Sequence, residues 1–361
     1  MNGGNNRETV VVGVGAVGCR LAEGVGGILP DVRCVFIDTD RRALHEYEQD
    51  QVVLLDTSKT GGSGTGKRPE LAREAAEQCA QAIGEAIGSA DLAVVAASFG
   101  GGTGAGAGPV AARVAREAGA FAIVAAVDPF KFESALKTEQ ACAALLYAGD
   151  QAEAVVRIPC CLDAGDNEAD VSFKTACIAA ENHATDALAE LVRMAAMPGV
   201  LLLDEGDLRR VLCEPGGAGI GVGRAEGDRR VETAIRRACN SLSLDAYRIH
   251  SAASILLHVA GGEQLSAQEV QDGARAIGSI SAKGDYLLSV DIRPELGDRV
   301  IATVLLSGFY AQREDPALSA EADSPTPEGA FIYEGVNIDI PTFLRRSRGR
   351  FHGPLASGSP W

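Results

Sequence analysis

The sequence predicts an α/β fold in which a largely parallel β-sheet is covered by helices on both faces. Short apolar runs rich in β-branched residues alternate with helical segments, and glycine-rich turns follow several of the strands. The 46% hydrophobic composition supplies a large core. With 361 residues the chain is long for one domain, which favours two.

In the first half of the chain, strands and helices follow one another in regular order. Residues 8–14 form a short β-branched apolar run that predicts a buried strand, and a small-residue helix follows at 18–27. Further strands are predicted at 33–37, 52–55, 92–97 and 120–127, and further helices at 69–87 and 109–118. Such alternation is typical of a parallel sheet.

The second half begins with a long helix. Residues 177–197 are rich in Ala and Leu and contain neither Gly nor Pro, so they predict one helix of about 30 Å that ends at Pro198-Gly199. Helices are then predicted at 206–213, 229–240 and 266–280, and strands at 253–259, 286–292 and 299–306. The predicted organisation is a first α/β domain (7–176), a central helix (177–199), a second α/β domain (200–310), a disordered linker (311–335), a tail peptide (336–346) and a basic, flexible C-terminus (347–361).

Composition excludes several classes of protein. A formal charge of −16 argues against a nucleic-acid-binding protein, and no apolar run reaches the length of a membrane span. The N-terminal residues lack the apolar core of a secretion signal, which predicts a cytoplasmic location. The nine cysteines form no C-x-x-C pair, so we expect reduced thiols and no metal site made by the chain itself.

The first glycine-rich segment is Gly13-Val14-Gly15-Ala16-Val17-Gly18, which follows a predicted strand and opens a helix. Such a loop brings backbone N–H groups to a helix N-terminus and so predicts a phosphate cradle. Asp38 and Asp40 close the next strand, where a ribose-binding acid would lie in a dinucleotide-binding protein. An NAD-dependent oxidoreductase is therefore one alternative, and a glycine-rich packing turn is another.

The second segment, Gly61-Gly62-Ser63-Gly64-Thr65-Gly66-Lys67-Arg68, nearly matches a phosphate-binding loop of the Walker type. Arg68 stands in the place of the hydroxyl residue that binds Mg²⁺, so this function is rejected. The segment is predicted to be a flexible turn near the same ligand.

The third segment runs from Ser98 to Pro109 and contains Gly100-Gly101-Gly102-Thr103-Gly104-Ala105-Gly106-Ala107-Gly108. It also lies between a strand and a helix, so it offers a row of backbone N–H groups and the hydroxyl of Thr103 to a polyphosphate. A dinucleotide needs only one phosphate cradle, whereas a nucleoside triphosphate can be gripped by two. The third segment therefore favours a triphosphate.

The motif Gly-Gly-Gly-Thr-Gly-Ala-Gly is similar to the signature of the tubulin/FtsZ superfamily, and other segments agree with it in the right order. The stretches at 37–44, 129–133 and 203–209 resemble the segment after the second strand, the ribose-contacting loop and the synergy loop of the FtsZ family. Residues 336–346 resemble its C-terminal peptide, which tubulins lack. The resemblance covers about residues 8–310 and the tail.

This resemblance implies a GTP/GDP site, with Mg²⁺ carried on the nucleotide. Glu133 would bind the ribose, Lys137 stands where the family usually has arginine, and Glu181 stands where an Asn or Asp reads guanine. Cys177 takes the place of a phenylalanine that stacks on the base. The phosphates would be held by Gly15, Ala16, Val17, Gly18, Cys19 and Arg20 and by Gly101, Gly102, Thr103 and Gly104.

Two acids, Asp204 and Asp207, are the candidate catalytic residues. Their spacing alone favours an N-terminal helix cap, with Asp204 at the cap and Asp207 in the first turn. The resemblance adds a second role that is compatible with capping: in the family, this loop enters the nucleotide pocket of the next subunit and activates the attacking water. The implied function is a GTPase that polymerises head to tail and organises the bacterial division ring at mid-cell.

Several positions depart from the family pattern. Leu202 replaces the Asn of the synergy loop, Arg20 replaces an Asn of the first glycine loop, and Cys160-Cys161 replace an Asn-Asp pair. These departures support an alternative function, a divergent paralogue that binds nucleotide and co-assembles as a scaffold with little hydrolysis.

The tail combines a disordered tether with a short amphipathic segment, a combination suited to folding on a partner's groove. The resemblance implies membrane tethers such as FtsA, ZipA or SepF as partners, and hence only an indirect membrane contact. Docking of the segment on its own globular domain is the alternative. The candidate partner-binding residues are Ile338, Asp339, Ile340, Pro341, Phe343 and Leu344.

Overall fold

The computed structural model describes most of the chain before residue 309 and two short strands beyond it. The described residues are 8–55, 59–130, 132–160, 172–196, 200–201, 204–242, 252–280, 286–308, 332–333 and 336–337. The predicted α/β fold is confirmed: one ten-stranded sheet runs through both halves, with helices packed against it. The strands of this sheet are β1 (Thr9–Val14), β2 (Arg33–Asp38), β3 (Val52–Leu54), β4 (Leu92–Ser98), β5 (Phe121–Val127), β6 (Ala154–Ile158), β7 (Ala218–Ala225), β8 (Ser254–Gly261), β9 (Leu287–Ile292) and β10 (Val300–Ser307).

The strand order is β3-β2-β1-β4-β5-β6-β7-β10-β8-β9. The first six strands of this order are all parallel, and their interiors are almost wholly apolar because helices cover both faces. Only two residue pairs join β6 to β7. Beyond that junction β10 runs antiparallel to β7 and β8, and β9 forms the outer edge. The sheet is therefore continuous, but its two halves meet along a short seam.

The described helices number nine: α1 (Gly15–Ile28), α2 (Pro69–Gln78), α3 (Ala80–Ile87), α4 (Gly102–Glu117), α5 (Ala135–Gln151), α6 (Phe173–Ala196), α7 (Glu205–Leu212), α8 (Arg230–Ser241) and α9 (Ala267–Ile280). Several of them differ from prediction, and α5 was not predicted. The single helix expected at 69–87 is bent at Cys79, where the backbone takes φ −98° and ψ 11°. Backbone hydrogen bonds continue across this bend, so that both segments bury their apolar residues in the same core.

Helix α4 begins at Gly102, seven residues before the predicted start. Its first two turns consist largely of glycine, which is a poor helix former, but tertiary packing requires it here. A Cβ on Gly104 would lie 2.4 Å from the carbonyl oxygen of Ser98, and one on Gly106 would lie 2.0 Å from that of Pro69. The early start places the α4 N-terminus at the carboxyl end of β4.

Helix α6 is the long central element. Its 24 residues, Phe173–Ala196, span about 36 Å and begin four residues before the predicted helix. It packs against α1 and joins the two halves of the molecule. Its predicted stop at Pro198-Gly199 lies outside the described residues.

Two further predictions concern the C-terminal region and membrane insertion. Ile332–Tyr333 pairs antiparallel with Val336–Asn337, whereas the rest of the predicted linker and tail peptide, including 338–344, lies outside the described residues.

Within the described part of the chain, no helix combines the length and apolarity needed to cross a membrane.

Candidate functional site

A cavity of about 500 Å³ lies at the carboxyl ends of four adjacent parallel strands. Val14, Asp38, Ser98 and Val127, the last residues of β1, β2, β4 and β5, all contribute to its wall. This edge is where open α/β sheets bind ligands. The predicted nucleotide-binding residues that line it are Gly15, Ala16, Val17, Arg20, Gly101, Gly102, Thr103, Gly104, Glu133, Lys137 and Glu181.

The first and third glycine segments meet on one side of the cavity. Gly15 opens α1 with φ +78°, a left-handed conformation that favours glycine. A Cβ at this position would lie 3.1 Å from the backbone nitrogen of Gly104 at the start of α4. The N-termini of α1 and α4 therefore converge, which presents two sets of unpaired helix N–H groups and two helix dipoles to one ligand.

Asp38, at the end of β2, forms hydrogen bonds that connect this strand to the start of α4. Its Oδ1 accepts hydrogen bonds from the backbone N–H groups of Thr39 (2.6 Å) and Asp40 (3.1 Å) and from the Thr103 hydroxyl (3.3 Å). The hydroxyls of Thr39 and Thr103 lie 2.8 Å apart. Burial raises the pKa of Asp38, whereas these hydrogen bonds act to lower it. Asp38 thus connects the end of β2 to Thr103 at the start of α4.

Gly18 and Cys19 differ from the other predicted residues because they lie behind the loop and do not line the cavity. A Cβ on Gly18 would lie 2.2 Å from the carbonyl oxygen of Ala96, so this glycine lets α1 approach β4. The Cys19 thiol contacts the carbonyl oxygens of Gly13 (3.4 Å) and Ile37 (3.7 Å). Burial raises the pKa of this thiol to about 12, so it stays protonated.

Arg20 and Glu181 form an ion pair across the cavity. Arg20 Nε donates to Glu181 Oε1 at 2.6 Å and Nη2 donates to Oε2 at 3.2 Å, while Nη1 donates to the Ala16 carbonyl at 3.3 Å. The hydrogen bond to Glu181 raises the pKa of Arg20. Both side chains remain accessible, at 49% and 37% exposure. The two departures from the family pattern, 161 residues apart in sequence, are therefore direct partners.

Glu133 and Lys137 form a second pair at the start of α5. The Glu133 carboxylate accepts from the backbone N–H of Phe130 at 3.1 Å and contacts the Lys137 ammonium. Local interactions thus hold both groups at the cavity wall.

The wall also includes two residues of the second glycine segment, Gly64 and Lys67. The segment has positive φ at Gly61, Gly62, Gly64, Gly66 and Lys67, which explains its composition. Arg41 N donates to the carbonyl of Gly62, and Gly64 N donates to that of Thr39, so the turn is tied to the end of β2. The expectation that it lies near the ligand site agrees with this placement, but sequence reasoning did not single out Lys67 as a residue of the cavity wall.

Cys177 lines the cavity at the position where the family places an aromatic residue. Three phenylalanines lie beside the same rim. Phe130, which is part of the wall, stacks on Phe132 with ring centroids 5.0 Å apart, and Phe132 meets Phe173 edge to face at 5.7 Å. The exposed fractions of Phe132 and Phe173 are 56% and 65%.

The candidate catalytic acids lie elsewhere. Asp204 is the N-cap of α7: its Oδ1 accepts from the backbone N–H of Asp207 at 2.7 Å, which confirms the predicted cap. Neither acid is among the residues that line the cavity. They follow the distal end of α6, whereas Cys177 and Glu181 lie near its start. About 22 Å of helix separates Glu181 from Ala196.

Comparison with known proteins agrees with this geometry. Residues 8–160 match the model of the GTPase domain of the Tubulin/FtsZ family, and residues 216–310 match the C-terminal domain of the FtsZ family. The chain is 29% identical, over 311 residues, to the cell division protein FtsZ of Buchnera aphidicola, with 86% of this chain and 81% of the relative covered.

Solved structures give the same result. An empty FtsZ dimer of M. jannaschii superposes with a TM-score of 0.74 at 26% identity, covering 84% of this chain and 88% of that one. GDP-bound CetZ1 of Haloferax volcanii, 19% identical, shares the fold with a TM-score of 0.71, covering 87% and 97%.

The fold and the paired glycine loops define a GTPase of the tubulin type, which binds guanine nucleotides. The C-terminal family model and the relative both point to the FtsZ branch. The chain belongs to the FtsZ family.

Proposed function

We propose that this protein binds GTP in the cavity described above and polymerises head to tail into protofilaments that organise a bacterial division ring. Each subunit supplies the phosphate cradle, and Asp204 and Asp207 of its neighbour complete the site. The observation that carries this proposal is the separation of the acids from the cradle by the length of α6. A catalytic site divided in this way is complete only between two copies.

The phosphate end of the site is built from backbone groups. The N-termini of α1 and α4 direct unpaired N–H groups into the cavity, Thr103 adds a hydroxyl, and Lys67 adds a cation. Because Asp38 fixes Thr103, the cradle is formed before the ligand arrives. Such preorganisation lowers the cost of placing the triphosphate for in-line attack.

Arg20 and Glu181 are proposed to read the base together. A guanine edge offers an acceptor at O6 and donors at N1 and the exocyclic amino group, which match a guanidinium and a carboxylate. Adenine presents its donor and acceptor in the opposite order. The pair, already in bidentate contact, therefore favours guanine without the Asn or Asp of the family.

The acids are proposed to act on the water that attacks the γ-phosphate. Phosphoryl transfer depends mostly on positioning and on charge stabilisation, and two carboxylates can orient the water and accept its proton. Within the described residues no cluster of three or more His, Cys, Asp or Glu side chains is placed to hold a metal ion. The carboxylates of Asp38 and Glu133 already have protein partners. Mg²⁺ is therefore proposed to be held by the phosphates and by water.

Exposed apolar side chains support a contact between the cavity of one subunit and the acids of the next. In the described part of the chain, the large exposed hydrophobic residues are Ile28, Phe132, Leu136, Phe173, Ile178, Val200 and Leu201. All except Ile28 lie either beside the cavity in sequence or just before the acids. Apolar side chains near the start of α6 and beyond its end suit a head-to-tail contact between copies.

Pelleting tests this function directly. With Mg²⁺ and GTP, high-speed centrifugation is expected to recover a polymer that dissolves as GTP is consumed, whereas GDP gives little pellet. A pellet that persists without phosphate release would favour the alternative of a scaffold with little hydrolysis, and Leu202→Asn would then be the variant to restore turnover. Absence of a pellet with either nucleotide would contradict autonomous assembly.

A second prediction concerns the base-reading pair. Glu181→Gln should weaken GTP binding about 10- to 100-fold, because the amide replaces one acceptor by a donor facing the donors of guanine. The ion pair is exposed, so its loss should change the free energy of unfolding by under about 1 kcal/mol. Fluorescent GTP titration and thermal melting measure the two effects separately.

The control for Glu181→Gln is Asp272→Asn, which removes one carboxylate from the exposed Arg275–Asp272 pair on α9. It should affect neither GTP affinity nor the preference for GTP over ATP. Unchanged GTP binding by Glu181→Gln would show that the base is read elsewhere.

The tail peptide is proposed to link the filament to a membrane tether such as FtsA, ZipA or SepF. The support is its resemblance to the family peptide together with the apolar spacing of Ile338, Ile340, Phe343 and Leu344. This link places the protein at mid-cell.

A further inference from the structure

A buried polar chain connects the central helix to the backbone just before the catalytic acids. Its members are Glu190 on α6, Arg293 after β9, His258 on β8 and Ser289 on β9, and each is at most 5% exposed. It ends on the carbonyl oxygen of Leu201, three residues before Asp204. None of these four side chains lines the nucleotide cavity. Burying such groups is costly unless they are fully paired.

The first link joins α6 to the second half of the sheet. Arg293 forms a bidentate ion pair with Glu190, with Nη1–Oε1 at 2.6 Å and Nη2–Oε2 at 2.8 Å. Its Nε donates to Asp291 Oδ2 at 2.7 Å, so the guanidinium is held from two sides. The fork geometry fixes its orientation.

In the next two hydrogen bonds of the chain, donor and acceptor can be assigned. Arg293 Nη2 lies 3.3 Å from His258 Nε2, and a guanidinium can only donate, so Nε2 accepts. Burial lowers the pKa of His258 to about 4, so the ring is neutral at pH 7. The single ring proton is therefore on Nδ1, which donates to the Ser289 hydroxyl 3.1 Å away.

The last link reaches the main chain. With its oxygen accepting from His258, Ser289 donates its own proton to the Leu201 carbonyl at 3.0 Å. Leu201 also pairs with Val290 through hydrogen bonds of 3.1 and 3.4 Å, so that residues 200–201 form an added bridge on edge strand β9. Val200 N also donates to the Val290 carbonyl at 2.8 Å, and the bond from Ser289 adds a side-chain contact to this backbone bridge.

We propose that Ser289, oriented by His258, Arg293 and Glu190, is a positioning residue that sets where Asp204 and Asp207 stand relative to α6. The inference rests on the proposed function, in which those acids act on the nucleotide bound by the neighbouring subunit. Helix α6 carries Glu181 at the cavity and Glu190 in the chain. One rigid element therefore joins the nucleotide site of a subunit to the acids it offers to the next.

The test is Ser289→Ala in the full chain. GTP affinity and KM should stay within about twofold of wild type, because Ser289 is remote from the cavity. The kcat of the assembled polymer should fall about tenfold, as displacement of catalytic groups by less than 1 Å suffices for such a loss. Ser289→Cys keeps the size but donates weakly, so it should show the same loss, whereas Ser289→Thr keeps the hydroxyl and should restore turnover.

Ser307→Ala is the matched control. Ser307 lies on β10, which β8 separates from β9 in the sheet, and it is fully buried, with no hydrogen-bond partner for its hydroxyl within the described residues. It should retain the wild-type kcat. An equal loss in Ser307→Ala, or a fall in GTP affinity that parallels kcat in Ser289→Ala, would overturn the positioning role in favour of a general packing effect.

Complementation separates this inference from the proposed function. Ser289→Ala subunits mixed with subunits that have a blocked cavity but intact acids should regain part of the lost turnover. If Asp204→Asn abolishes turnover and Ser289→Ala does not reduce it, the inference fails and the proposed function stands. If Asp204→Asn and Asp207→Asn both retain turnover, the catalytic role of the acids in the proposed function itself fails.

Discussion

Replacing Asp204 with asparagine is expected to reduce GTP turnover by about 100-fold or more, while GTP binding and filament formation remain. The loss follows from removing a carboxylate aimed at the attacking water, and single electrostatic groups at transition states have effects of this size. Asparagine caps helices as well as aspartate does, so the hydrogen bond to the Asp207 N–H is kept and α7 stays folded. Phosphate release measured on pelleted polymer detects the change.

The control is Asp228→Asn, an exposed acid in the turn before α8. It removes the same charge and should leave turnover unchanged. Asp207→Asn should behave like Asp204→Asn. Retention of more than half the wild-type turnover by both acid variants would contradict a catalytic role and leave only helix capping.

Replacing Gly104 with alanine is expected to weaken GTP binding by about 100-fold or more and to prevent GTP-dependent assembly. The new Cβ would lie 2.4 Å from the carbonyl oxygen and 3.1 Å from the nitrogen of Ser98, both in the backbone at the end of β4. The start of α4 must move, and its N–H groups then miss the phosphates. Isothermal titration with GTP, together with circular dichroism to verify folding, measures the effect.

Gly27→Ala is the control for this variant. Gly27 lies in the exposed last turn of α1 with nothing within 4 Å of an added Cβ. Alanine there should preserve GTP binding and increase the free energy of unfolding by about 0.5–1 kcal/mol, since it favours the helix. A folded Gly104→Ala protein with wild-type GTP affinity would show that the third glycine segment is not the phosphate cradle.

The variants Asp204→Asn and Gly104→Ala should restore GTP turnover when they are mixed. Asp204→Asn subunits have an intact cavity, and Gly104→Ala subunits have intact acids. A mixture should recover part of the turnover that neither variant shows alone, because some interfaces then combine the two intact halves. No recovery, despite co-pelleting, would place the acids in the same subunit's site.

Sequence by itself determined the strands and helices up to β5 and placed the first and third glycine segments between a strand and a helix, but it missed α5 and β6. The correct predictions depend on local signals: the apolar period of a strand or helix is written in neighbouring residues, and glycine-rich turns mark where a strand passes into a helix. The cap at Asp204 was equally local, since the two residues that form it are three positions apart.

Only the tertiary structure decided the remaining features. Strand β7 escaped prediction because its glycines resemble a turn, yet a Cβ on Gly221 or Gly223 would lie 2.1 or 2.0 Å from carbonyl oxygens of α8. The place of Asp38 in the sequence suggested a ribose-binding acid only for the dinucleotide alternative, and in the folded chain its carboxylate accepts from Thr103.

The same holds for the contacts between distant residues. The Arg20–Glu181 pair joins α1 to α6, and the hydrogen bond from Ser289 to Leu201 joins two segments 88 residues apart. Neither pairing leaves a periodic or compositional trace, because each depends on how closely two backbones approach in the folded chain. Local chemistry thus specified most of the elements and the glycine-rich loops, whereas packing decided which partners the charged side chains contact.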